Sequence, residues 1–151
     1  MSVTLQSEPF DPGTLFNAFL KANQGAGAAV TFTGLVRSTP EDPITSMTLE
    51  HYPALAQRQL EDLRKSAMAR FGLYEARIVH RFGKLYPGDP IVQVMTLAPH
   101  RQAAFDGANF IMDTLKTTAP FWKKEEGPDG TRWVEAKVAT TKPRPAVFFF
   151  F

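Results

Sequence analysis

The 151-residue sequence predicts a single domain of the α+β class, and three observations carry that reading. Helix-like and strand-like segments are mixed without strict alternation, which argues against a doubly wound sheet. A Gly-Pro-Asp-Gly turn at residues 127–130 sits between two extended segments, as in an antiparallel hairpin. A composition of 44% hydrophobic and 21% charged residues suits one ordinary domain with a sizeable core.

The elements follow in order. Asp11 is placed to cap a helix with Pro12 at its first position and Phe10 able to staple onto Leu15, and this helix is expected to end near Gly25. Residues 28–36 read as a strand, with Ala28, Val30, Phe32, Gly34 and Val36 on one face and Arg37 at the exit. Residues 38–45, STPEDPIT, have two prolines, two acids and no periodicity, and are expected to form a mobile loop suited to covering a substrate. Residues 46–52 read as a second strand. After Pro53, Leu55, Gln59, Leu60, Leu63, Ala67 and Phe71 follow helical spacing up to Gly72, with Gln59 as one polar interruption.

Residues 74–82 and 91–98 are expected to be hairpin partners, joined through residues 83–90, where Pro87-Gly88-Asp89 supplies turn chemistry. From residue 99 to 119, Ala104, Phe105, Ala108, Ile111, Met112 and Leu115 trace one face of a long helix that Pro120 ends. Residues 121–126 and 131–138 make the strands of the terminal hairpin. Phe121, Trp122 and Trp133 are expected to be its core or cross-strand aromatics. Residues 141–151 read as a tail ending in VFFFF, an aggregation liability if left exposed.

Composition also bounds the function. A formal net charge of +2 provides no global field for nucleic acid or membrane, so neither is expected as a partner and any anion site must be local. The absence of cysteine removes disulfides, thiolate metal sites and a cysteine persulfide, so any sulfur the protein handles must arrive on another molecule. Neither a metal site nor a cofactor is expected. The first residues lack a signal-peptide pattern, and no apolar run approaches the roughly 20 residues of a membrane span, so the expected location is cytoplasmic.

Several residues are candidates for chemistry. Lys116 lies in the last turn of the long helix, and Lys123 follows seven positions later, beyond the proline break, where the chain can fold back. Two ammonium groups sharing a pocket depress each other's pKa, and burial depresses both further, by up to roughly 3–5 units for a fully buried lysine. The helix dipole opposes this by only about 0.3–1 kcal/mol, so burial decides. By spacing alone, both lysines also fit solvated surface positions. At the other end of the helix, His100 and Arg101 adjoin free backbone N–H groups that favour an anion such as a phosphate. Both side chains, like Arg37, also fit plain surface positions. Arg101 and Lys116 are fifteen residues apart on one helix, about 22 Å at 1.5 Å per residue. One small ligand cannot touch both within a chain, so if both serve one site they come from different copies, in a homodimer.

Five segments, VTFTGLVR, LEHYP, HRFGKLYPGD, APHRQAAFDGANFIMDTLKTTAPFWKKE and RWVEAK, spread over residues 30–137, together resemble the large, catalytic subunit of molybdopterin synthase. That resemblance implies an α/β-hammerhead-like core with an additional antiparallel β subdomain. It implies an enzyme of molybdenum-cofactor biosynthesis that converts cyclic pyranopterin monophosphate to molybdopterin by forming the dithiolene. The sulfur would come from a small ubiquitin-like subunit whose C-terminal Gly-Gly carries a thiocarboxylate, in a heterotetramer built on the homodimer. On matching positions, the resemblance makes Lys116 and Lys123 catalytic, and Arg37, His100, Arg101, Lys124 and Lys137 candidates for substrate binding, His100 and Arg101 acting across the dimer. Leu35 stands where relatives often have lysine, and Lys137 where they often have arginine, which keeps the charge and loses the bidentate fork. Two other classes compete: a non-catalytic adaptor for a ubiquitin-like tail, which intact Lys116 and Lys123 disfavour, and a binding module for a phosphorylated small molecule, which needs no lysine pair.

Overall fold

The alternation at residues 28–36 forms an eight-residue strand, and the extended segments around it sort into two sheets. The computed structural model describes residues 2–118 and 121–133. Its elements are β1 (Val3–Gln6), α1 (Pro12–Phe19), β2 (Ala28–Leu35), β3 (Ser46–His51), α2 (Pro53–Phe71), β4 (Glu75–Arg81), β5 (Gly83–Leu85), β6 (Pro90–Ala98), α3 (Arg101–Thr118), β7 (Phe121–Gly127) and β8 (Gly130–Trp133). The first sheet has the order β1-β4-β6-β2, with β1 parallel to β4 and the other pairs antiparallel. The second, β5-β3-β7-β8, is antiparallel throughout. The fold is thus α+β with an added antiparallel sheet.

The period-two pattern of the first sheet divides its side chains between two layers. Ala76, Ile78, Val92, Val94 and Ala98 face α2 and α3, whose Leu60, Leu63, Ala67, Ala104, Ala108, Ile111 and Leu115 complete the main core. Val79, Met95 and Leu97 point the other way, onto Phe19 with Phe10, Leu15 and Phe16 of the α1 region. Each fully buried side chain of leucine or isoleucine size contributes about 1.5–3 kcal/mol. Ile111 and Leu115 therefore fix the helix that ends beside Lys116.

Several boundaries differ from expectation for identifiable reasons. Asp11 caps α1 as read, its Oδ1 accepting from Gly13 N at 3.3 Å, but the helix stops at Phe19. Beyond it Leu20 is exposed, and Asn23 Oδ1 accepts from Gly25 N at 2.8 Å, so no apolar face prolongs the helix and a side-chain turn competes with it. On α2 the buried stripe is Ala56, Leu60, Leu63 and Ala67, while Leu55 is exposed, so Gln59 interrupts nothing. On α3, Gly107 joins the buried face and Phe105 is exposed. A Cβ at Gly107 would stand 2.8 Å from Leu73 Cδ1, so the Leu73 side chain packs against the α3 backbone at the glycine.

Two short strands were not expected. β1 pairs with β4 at the edge of the first sheet, and β5 occupies part of the connection between β4 and β6, which pair as read. Pro87-Gly88-Asp89 forms its turn with Gly88 at φ 91°, and Asp89 N donates to Tyr86 O at 2.9 Å. Residues 134–138 of the expected last strand and the tail lie outside the described residues.

The two sheets meet in a second core of Val36, Ile44, Met47, Leu49, Leu85, Ile91 and Phe121. Across the seam the His80 ring of β4 stacks on Phe121 of β7, with centroids 4.2 Å apart and planes 12° from parallel. His51 tilts against the same phenylalanine at 5.8 Å.

Candidate active site

Strand geometry decides what Lys123 experiences. In β7, Phe121, Lys123 and Glu125 alternate onto one face, and Lys123 lies opposite Leu49 of β3. That face turns toward the second core, so Lys123 is buried, at 5% exposure. Burial is the leading cause that lowers its pKa from the ordinary lysine value of 10.5; Glu125 opposes the shift most strongly. Asp42 also favours the charged form and Arg132 disfavours it, but desolvation is the largest influence on Lys123.

The charge is not left unanswered. Lys123 Nζ lies 3.4 Å from Glu125 Oε2, and the other carboxylate oxygen, Oε1, accepts from Arg132 Nη2 at 2.9 Å. The same nitrogen donates to Asp42 Oδ1 at 2.9 Å, so four charged groups form a chain from the buried lysine to the surface. Glu125 and Arg132 are directly opposed in the β7/β8 register. Glu125, Arg132 and Asp42 are not among the residues that the sequence marks as candidates. The signal for Glu125 lay in its two-residue spacing from Lys123 on an expected strand, and the turn register then brings Arg132 opposite it. Nothing local in the sequence links Asp42 to them.

The segment of residues 38–45, expected to be mobile, is folded on itself and against β7. Ser38 Oγ accepts from Ile44 N at 2.9 Å, Asp42 N donates to Thr39 O at 3.1 Å, and Thr45 N donates to Glu126 O at 2.7 Å.

The other candidates fall in distinct places. Lys116 is half-buried in the last turn of α3, two residues before the helix ends. Lys124 is on the β7 face opposite Lys123, with Nζ 5.8 Å from the centroid of the Trp133 ring. His100 and Arg101 are exposed at the start of α3. Arg37 is exposed where β2 ends, beside a groove lined by Phe32, Leu35, Val36, Pro87 and Gly88. Lys137 lies outside the described residues. The helix between Arg101 and Lys116 is unbroken, so their separation of about 22 Å holds in the fold. Among the described residues, no group of three or more His, Cys, Asp or Glu is arranged to hold a metal ion, and no helix is long and apolar enough to cross a membrane.

His80 extends the same face toward the first sheet. It is fully enclosed, its Nδ1 hydrogen-bonds Arg81 O at 2.8 Å, and burial lowers its pKa to about 4, so the ring is neutral at pH 7. Since that oxygen only accepts, Nδ1 carries the proton.

Fold and site define a class: an α+β protein with a buried, carboxylate-paired lysine beyond one end of a long helix and an exposed histidine-arginine pair at its other end. The profile of the MoaE protein family matches residues 5–118, and the chain belongs to that family. The molybdopterin synthase catalytic subunit of Rhizobium meliloti (strain 1021) is 48% identical over 146 residues, covering 95% of this chain and 94% of that one. The solved molybdopterin biosynthesis MoaE protein from Burkholderia ambifaria MC40-6 superposes with a TM-score of 0.77 at 43% identity, covering 93% and 92% of the two chains. A complex of subunits 1 and 2 of molybdopterin-converting factor from Helicobacter pylori 26695 shares the fold at 19% identity, with a TM-score of 0.77 over 91% and 92%. The chain is an enzyme of molybdenum-cofactor biosynthesis, of the molybdopterin synthase catalytic-subunit class.

Proposed function

We propose that Lys123 and Lys116 are the catalytic lysines of this synthase subunit, and that the sulfur of the dithiolene is delivered to cyclic pyranopterin monophosphate beside them. The donor in this reading is the thiocarboxylated C-terminal Gly-Gly of a small ubiquitin-like subunit, a role in keeping with a chain that has no cysteine. The single observation that carries it is the burial of Lys123 against Glu125. Lys123, its pKa lowered by desolvation, exchanges protons closer to neutral pH than an exposed lysine does. In its protonated form it also attracts the thiocarboxylate, and in its neutral form it accepts the proton released as carbon–sulfur bonds form.

His100 and Arg101 bind the substrate's phosphate at the N-terminus of α3, where backbone N–H groups add to the cationic side chains. Arg37 contributes from the end of β2. Because the two ends of α3 stand about 22 Å apart, a site that uses both is in this reading shared by two copies of the chain, and the working unit is a homodimer carrying two small subunits. Lys124 and Lys137 complete the proposed substrate contacts. Residues 1–151 act as one catalytic-subunit domain in the cytoplasm, with residues 141–151 as a tail.

The test is dithiolene formation from the purified chain, a thiocarboxylated small subunit and the cyclic pyranopterin. Lys116→Ala and Lys123→Ala should each lower kcat by about 100-fold or more, the scale of lost acid–base catalysis. Undiminished product from either variant would remove that lysine from the mechanism.

A further inference from the structure

Resting on the reading of Lys123 as catalytic, we propose that Arg132 is a positioning residue that divides Glu125 between itself and the lysine, under the control of residues 38–45 through Asp42. The geometry is specific. Glu125 spends one oxygen on each cation, Oε2 at 3.4 Å from Lys123 Nζ and Oε1 at 2.9 Å from Arg132 Nη2. Arg132 Nη2 is anchored on its far side by Asp42 Oδ1 at 2.9 Å.

The segment that carries Asp42 is seated on the strand that carries the lysine. Thr45 N and Oγ1 both donate to Glu126 O, at 2.7 and 3.2 Å, and Ser46 Oγ donates to Glu126 Oε2 at 3.3 Å. A Cβ at Gly127 would stand 2.7 Å from Pro43 O, so this contact requires a glycine on β7. A cavity of about 250 Å³, lined by Asp42, Pro43, Glu125, Gly127, Asp129 and Arg132 among others, opens beside the junction.

Exposure separates the members of the chain. The side chains of Arg132 and Asp42 are 63% and 62% exposed, so their pairing contributes little to stability by itself. Glu125 is only 10% exposed, and a displacement of its carboxylate acts on Lys123 in a poorly screened setting. Among the described residues, the other titratable groups on β7 and on the strands beside it are Lys124 and Glu126 on β7, Glu50 and His51 on β3, and Lys84 on β5, with His80 of β4 behind Phe121. Of the groups in the chain, Glu125 and Asp42 favour protonated Lys123, whereas Arg132 disfavours it.

Opposite effects of two surface substitutions follow. Arg132→Gln removes a cation and lets Glu125 turn wholly to the lysine, so Lys123 stays protonated to higher pH. Asp42→Asn removes an anion and leaves Arg132 wholly on Glu125, so Lys123 loses its proton at lower pH. A purely structural role would shift both variants the same way.

The experiment is competitive acetylation of the full-length protein by limiting acetic anhydride across a pH series, with the rate at Lys123 read by peptide mass spectrometry against the exposed Lys21 and Lys65. At a pH below the wild-type midpoint, Arg132→Gln should slow labelling of Lys123 by about threefold or more and Asp42→Asn should speed it by a similar factor, half a pH unit in each direction. Arg132→Lys, which keeps charge without the fork, should fall between wild type and Arg132→Gln. Shifts in the same direction, or unmoved profiles, would overturn the proposal. The readout does not require turnover, so a wild-type protein inactive as a synthase would remove the catalytic reading and leave this measurement standing. Where turnover is measured, Arg132→Gln should change kcat and its pH profile with KM nearly constant.

Discussion

Acid should loosen this protein through a single buried ring. His80 titrates near 4 in the folded state against 6.5 when free, because burial disfavours the imidazolium. As pH falls below 6.5 the unfolded chain takes up this proton first, so folding stability drops through the window from 6.5 to 4 and the contribution levels off below it. A gap of about 2.5 pH units at 1.36 kcal/mol each gives close to 3 kcal/mol lost by pH 4. With urea m-values of about 1–3 kcal/mol/M, the denaturation midpoint should fall by roughly 1–3 M from this group alone. The assay is urea unfolding at pH 7, 5.5 and 4 for wild type and His80→Asn, whose amide can still donate toward Arg81 O. The variant should start less stable, having lost the stack on Phe121, and should show a pH dependence flatter by about 3 kcal/mol. His51, whose pKa burial also lowers, is present in both proteins and cancels to first order. Equal pH dependences in the two proteins would refute the reasoning.

Other outcomes follow from specific contacts. Gly27→Ala would place a Cβ 2.2 Å from Pro99 O, a backbone atom, just before His100 and Arg101. It should destabilise by about 1–3 kcal/mol in thermal unfolding and raise KM for the pterin more than it lowers kcat. Mixing Lys123→Ala chains with Arg101→Ala chains, each inactive alone, should restore about a quarter of wild-type activity, because half the dimers are mixed and each mixed dimer has one intact site. No recovery on mixing would place the whole site within one chain.

How much was legible in the sequence depended on the range of the interaction. Asp11, Gly72, Gly88 and the residue 127–130 turn announce themselves through local backbone chemistry, and each does in the structure what its type demands. Phase was harder to read. Leu55 and Phe105 fit the helical spacing of the buried stripes, but Ala56 and Gly107 hold the buried positions, and at Gly107 the missing Cβ leaves room for the Leu73 side chain. β1 and β5 carry no legible signal because a strand of three or four residues has too few positions to show a period. The same limit hid most of the charge chain. Lys123 stood out through its motif, whereas Asp42 meets Arg132 across 90 residues of chain, a contact only the fold creates.

The unbroken course of α3 has one more consequence. A rod of this kind acts as a ruler, with its markings set by residue count and not by side-chain identity. Exposed positions such as Asn109 and Asp113 can change without moving either end. Adding one residue between them would lengthen the rod by about 1.5 Å and swing everything beyond it by about 100°. That rotation would lift Leu115 out of the core and aim Lys116 away from its present direction, so tolerance to substitution along this helix should coexist with intolerance to any change in its length.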